Sequence, residues 1–244
     1  ATLTMNANGT FGNTNSLTLN GVGITAAGAL ISTTGTSTMI NPITLAGNTT
    51  FGGTNGLTLN GIINDGGNGF GITKLGAGTL TLGGSNTFTG STSINVGTMT
   101  LSNTNALGSG VTQSSGITVT ATGAVLNLNF ATSTFGNTNN ITLNGTGISS
   151  AGALIASTST PTLSNDITLG SNTTIGGASS MILNGIITDG GNGYSLTKVG
   201  AGTITLGGNN VFSGGVIINT GTLRALHAGA FGTTGAIAVN NAAI

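Results

Sequence analysis

Apolar and polar positions alternate along this chain in short runs of about four to six residues. LTLNG at 17–21, ITL at 43–45, LTLNGII at 57–63, GTLTLGG at 78–84, GTMTL at 97–101 and GITVTATGAVLNLNF at 116–130 place Leu, Ile, Met or Val at every second residue, with Thr or Asn between. Period two is the signature of a strand with one buried face. β-branched residues favour strands, and the Gly and Asn that separate the runs mark turns. Strands this short must bury an apolar face against something. Coiling the chain into a solenoid solves that, with each coil stacked parallel and in register on the last. The prediction is an all-β fold, a parallel β-helix with rungs of roughly 20–25 residues.

The pattern also repeats at long range. Shifted by 124 residues, Phe11 to Gly108 aligns without a gap onto Phe135 to Gly232, with 57 identities in 98 positions. After Gly108 the register is lost: ITV at 117–119 best matches IAV at 237–239, so the second copy is four residues shorter there. The expected organisation is copy one over 1–124 and copy two over 125–244, stacked coaxially in one solenoid of roughly 50–60 Å at about 4.8 Å per rung. ATLTMNANGT at one end and AIAVNNAAI at the other continue the alternation without a polar cap, which predicts further copies end to end.

Composition then narrows the chemistry. Gly, Thr and Asn account for 46, 47 and 30 of the 244 residues, and only 2% of residues are charged, three basic and three acidic. Three cations cannot make a nucleic-acid face. No stretch approaches the apolar length of a membrane-spanning helix, so membrane insertion by this segment is not expected. There is no cysteine, hence no disulfide and no thiolate site. In a parallel in-register stack, like charges would repeat at about 4.8 Å, which explains their scarcity. Stacked asparagines can bond along the axis as ladders. The pairs Phe11/Phe135, Phe88/Phe212 and Phe70/Tyr194 hold equivalent positions at which rings can stack.

Residues 72–101 run ITKLGAGTLTLGGSNTFTGSTSINVGTMTL, and residues 196–225 run LTKVGAGTITLGGNNVFSGGVIINTGTLRA. Both resemble the autotransporter-associated β-strand repeat. Lys74, Gly76, Gly78, Thr79, Leu82, Gly84, Asn86, Phe88, Gly90, Gly97 and Thr98 fall on its motif, as do the second-copy residues from Lys198 to Thr222. Phe stands where the family often has Tyr, and Arg224 enters the closing strand. The resemblance implies a right-handed parallel β-helix in a surface-exposed or secreted bacterial protein. It also implies a scaffold, with no catalytic residue to carry over.

Candidate residues are few. Asp65 and Asp189 open DGGNG loops and precede Lys74 and Lys198 by nine residues. One carboxylate per copy is too few for calcium, so an Asx turn with an Asp–Lys pair at the surface is expected. Leu59, Leu82, Phe88, Leu183, Leu206 and Phe212 share the apolar register of both copies and are predicted to point inward. His227, the only histidine, replaces Asn103 of the first copy and has no nucleophile beside it. No enzyme, cofactor or metal site is expected. The Thr-x-Thr runs at 79–81, 98–100, 118–122 and 203–205 raise an ice-binding face, but Arg224 breaks the pattern. The function expected is a structural, extracellular bacterial rod or fibre segment. An adhesin that holds surface glycans is the alternative. Stability is expected to vary little between about pH 4 and 9.

Overall fold

The computed structural model describes residues 1–108, 116–120 and 123–240. Residues 109–115, where the copies lose register, 121–122 of TVTAT and the last four residues of AIAVNNAAI lie outside the described residues. The strands are short and the strand pairs parallel, with two three-residue 3-10 segments, Ile24–Ala26 and Ile148–Ser150. The chain forms two compact units: Ala1–Ile117 with Gly136–Thr138, and Thr118–Phe135 with Asn139–Ile244. Each is a parallel β-solenoid.

In the first unit the strands build three faces. The first face stacks Leu3–Met5, Leu30–Ser32, the end of Ile43–Gly53, Ile72–Lys74 and Thr92–Ile94, so that Leu3, Leu30, Phe51, Lys74 and Ile94 form one column. The second stacks Gly9–Phe11, Thr36–Met39, Gly56–Leu59, Thr79–Leu82 and Gly97–Leu101. The third holds Leu17–Gly21, the start of Ile43–Gly53 and Ile63–Asn64. Ile43–Gly53 is long because it turns a corner, at which Ala46 and Asn48 are exposed. On the second face Thr10, Thr38, Thr58, Thr81 and Thr100 align, which gives turns of 28, 20, 23 and 19 residues. The long turn exceeds the expected length because it carries the Gly21–Gly28 arch, closed by bonds from Ala27 N–H to Ile24 O and from Gly28 N–H to Val22 O.

The second unit repeats the plan. Leu126, Leu154, Ile175, Lys198 and Ile218 form one column. Leu163, Leu183, Leu206 and Ala225 form another. Ile141, Ile167 and Ile187 line the third face. The alternation explains the core. Leu59, Leu82, Phe88, Leu183, Leu206 and Phe212 are each 0–1% exposed. Burying a side chain of this kind stabilises the fold by roughly 1.5–3 kcal/mol.

Two sequence expectations change in form. Asparagine amides mostly brace main chain across turns rather than forming side-chain ladders, as in Asn55 Nδ2 to Thr33 O at 2.6 Å and Asn165 Nδ2 to Asn139 O at 2.8 Å. Asn240 to Asn219, at 2.7 Å, is a direct amide pair. The ring stack is Phe130 on Phe135, with centroids 5.9 Å apart and planes 17° apart. Phe70 and Tyr194 are half-buried at their corners.

Among the described residues of the first unit, two hydroxyls, Ser32 Oγ and Thr92 Oγ1, are buried without a hydrogen-bond partner. The second unit has Ala156 and Val216 at these positions, both 0% exposed. An unsatisfied buried hydroxyl carries a desolvation penalty, and its apolar isostere does not. Ser32→Ala and Thr92→Val should each raise stability, by about 1 kcal/mol. Urea unfolding midpoints will check this.

Candidate functional site

The charged residues singled out in the sequence occupy two neighbouring corners of one turn. In the first unit the chain leaves Ile63–Asn64, turns through DGGNG and enters Ile72–Lys74. Asp65 is 1% exposed. Its Oδ1 accepts the Gly67 N–H at 2.9 Å, the expected Asx turn. Its Oδ2 accepts the Phe70 N–H at 3.0 Å, the Thr89 N–H at 3.1 Å and the Thr89 hydroxyl at 2.6 Å. The carboxylate therefore ties its own loop to the next turn. Asp189 does the same with Gly191, Gly193, Tyr194 and both the N–H and hydroxyl of Ser213, at 2.8–3.1 Å. Burial raises the pKa of each carboxyl, but donors from the loop and from Thr89 or Ser213 outweigh it. The net shift is downward for Asp65, and to about 2 for Asp189.

The next corner holds the lysine. Lys74 is 2% exposed and Lys198 0%. The Lys74 Nζ donates to the carbonyls of Leu75 at 2.7 Å, Gly76 at 2.6 Å and Val96 at 3.1 Å. The Lys198 Nζ donates to Val199 at 2.9 Å, Gly200 at 2.7 Å and Thr220 at 3.0 Å. Burial pulls both amines down to about 8. The glycines of the motif belong to this device. Gly97 has φ +81°, and a Cβ there would lie 2.8 Å from the Lys74 Nζ; at Gly221 the distance to the Lys198 Nζ would be 2.6 Å.

These positions correct the expected surface Asp–Lys pairs. Asp65 and Lys74, like Asp189 and Lys198, are buried, and each is satisfied without the other. Nine residues carry the chain across one face, so the carboxylate lies at the corner that opens the face and the ammonium at the corner that closes it.

The remaining candidates are structural or exposed. His227 is exposed and its Nδ1 accepts the Gly229 N–H at 2.9 Å. Asn103 accepts the Asn105 N–H through Oδ1 at 2.8 Å. One turn bond thus explains why the two copies differ here without structural change. Among the described residues no three His, Asp or Glu side chains cluster to hold a metal, and no helix is long and apolar enough to cross a membrane. The threonine face is denser than Thr-x-Thr spacing suggests, since stacking aligns single threonines on five successive strands of the first unit. In the second unit Thr162, Ile182, Thr205 and Arg224 align, so the column is broken.

The two ammonium corners lie in segments with a recognisable match. Residues 72–101 and 196–225 match the family model of the passenger-associated-transport-repeat. The chain carries two of these repeats. No curated protein and no solved structure matches the chain.

The geometry shows what the motif residues of the repeat do. Asn86 accepts the Ile63 N–H at 2.8 Å and donates to Ala106 O at 2.6 Å, bridging three successive turns from a buried position. Asn210 bridges Ile187 and Ala230 at the same distances. Sequence reasoning placed Asn86 on the motif without a role, and it missed Thr89 and Ser213. The signal for the latter was present: a hydroxyl residue follows each buried aspartate by 24 positions in both copies.

Two outcomes follow from these contacts. An unfolded aspartate takes up protons near 3.8, whereas Asp189 in the fold holds out to about 2. The stability it contributes is therefore complete above pH 3.8 and lost as pH falls towards 2. The lysines give a second limb of the same sign at high pH: between about 8 and 10.5 the unfolded chain binds more protons, so stability should rise with pH there too. Thermal unfolding across pH will show both limbs, and Asp189→Asn should remove most of the acid limb of its unit while costing about 2–3 kcal/mol at neutral pH. His227→Asn should preserve stability, because it restores the first-copy acceptor, whereas His227→Ala should lose about 0.5–1 kcal/mol in urea unfolding.

Proposed function

We propose that this chain is a load-carrying segment of an extracellular bacterial β-solenoid, a passenger-type rod whose function is mechanical. The observation that carries the proposal is the use made of the repeat's polar residues. Asp65, Lys74 and Asn86 are all spent inside the wall, on main chain, and so are Asp189, Lys198 and Asn210. None of them is offered to a substrate, which argues against an enzyme. The passenger repeats support a secreted or surface location. A parallel ladder closed by buried cross-turn bonds resists local opening, the property a stalk or fibre requires.

Further copies stacked end to end are part of the proposal. In the second unit Ile237 pairs with Val216 on one edge, and Leu226, Ile237 and Val239 are 56%, 51% and 71% exposed. An apolar strand edge of this kind recruits another strand, and a turn of the same repeat offers the matching parallel edge. An adhesin role draws its support from Phe70 and Tyr194, half-exposed rings beside the Gly-rich loops of both repeats, where a sugar could stack. Sedimentation velocity over a wide concentration range separates these readings. The rod reading expects self-association that Ile237→Asp abolishes. A monomer at every concentration, with glycan binding lost in Tyr194→Ala, would replace it with the adhesin.

A further inference from the structure

The lysine corner is built for its ligand in number as well as in position. An ammonium carries three N–H donors. Three carbonyls meet it in each unit, two from its own turn and one from the next, at 2.6–3.1 Å. No carboxylate takes part. All six carbonyls belong to residues that differ between the units or are glycine: Leu75, Gly76 and Val96 in one, Val199, Gly200 and Thr220 in the other. The arrangement is therefore a property of the main chain. The side chain that delivers the ammonium stands in an otherwise apolar column, between Phe51 and Ile94 in the first unit and between Ile175 and Ile218 in the second. Gly97 and Gly221, both at positive φ, close the wall over the nitrogen.

We propose that this corner is a main-chain binding site for a primary ammonium ion, and that Lys74 and Lys198 are its tethered ligands. The partial negative charge of three convergent carbonyls offsets part of the cost of burying the ammonium without a counter-ion. Three oxygens match three N–H donors, whereas a divalent metal ion asks for six or more oxygens, so the site favours an N–H donor over calcium or magnesium. The apolar stem between its column neighbours contributes packing, which is a separate effect and has to be separated by experiment.

Lys198→Ala deletes the atoms from Cγ to Nζ, and propylammonium restores that set. The variant should melt below the native chain. At matched ionic strength and well below pH 8, propylammonium chloride should recover about half or more of the lost melting temperature, and tetramethylammonium chloride, which has no N–H, should recover none. The native chain should respond equally to both salts. Equal melting of the variant in the two salts would overturn the proposal and leave the lysine a packing residue. The native chain provides a test that does not depend on the variant folding. Two ammonium nitrogens protected from solvent exchange should appear by ¹⁵N NMR below pH 8, and their absence would equally overturn the site.

Discussion

Parallel in-register stacking places every strand about 4.8 Å from the strands of the turns before and after it. A side chain at one position faces the residues at the same position in those turns, and beside Lys74 and Lys198 these are apolar. The charged residues of this chain have adapted to that rule in an uncommon way. Of its three acidic and three basic side chains, Asp65, Asp189, Lys74 and Lys198 are buried, while Asp166 and Arg224 are exposed. In ordinary domains such residues stay outside unless paired with each other. Here the main chain of the corners neutralises them: N–H groups converge on each carboxylate and carbonyls on each ammonium. A corner has such groups to spare, because its backbone has left the ladder on one side.

The same constraint accounts for the asparagines and glycines. A ladder satisfies strands but leaves corner N–H and C=O groups without partners unless something reaches across. Asn86 and Asn210 do this from inside, and Asn48 and Asn172 do it at the corner, accepting from Gly71 and Ser195 on the following turn. Glycine is needed where the chain above sits directly on the chain below: a Cβ on Gly76 would meet Gly53 O at 2.3 Å, and one on Gly200 would meet Gly177 O at 2.4 Å. Composition, corner geometry and buried charge are thus three aspects of one requirement.

Much of this was legible in the sequence. Period-two alternation identified the inward leucines, the 124-residue shift exposed the tandem copies, and the motif located the repeats. The partnership of the charges was not legible. Spacing along a chain suggests that Asp65 and Lys74 meet, yet a solenoid face intervenes, and the true partners lie 24 and 22 residues away, one turn on, at Thr89 and Val96. Val96 contributes only a carbonyl, which leaves no trace in residue identity. The unpartnered hydroxyls were equally hidden, since Ser32 and Thr92 look like ordinary strand residues until their burial is known. Asn and His at positions 103 and 227 look dissimilar as letters and perform the same act as hydrogen-bond acceptors.

The buried polar contacts have a boundary. The side-chain bonds of Asp65, Lys74 and Asn86 end on residues between Ile63 and Ala106, and those of Asp189, Lys198 and Asn210 end between Ile187 and Ala230. Each set is a self-sufficient cassette. A gene encoding such cassettes can gain or lose one by unequal crossing-over, and no buried ion is stranded at the junction. Length then becomes a trait that selection can adjust in whole steps, without the compensating mutations that a shared charge network would demand.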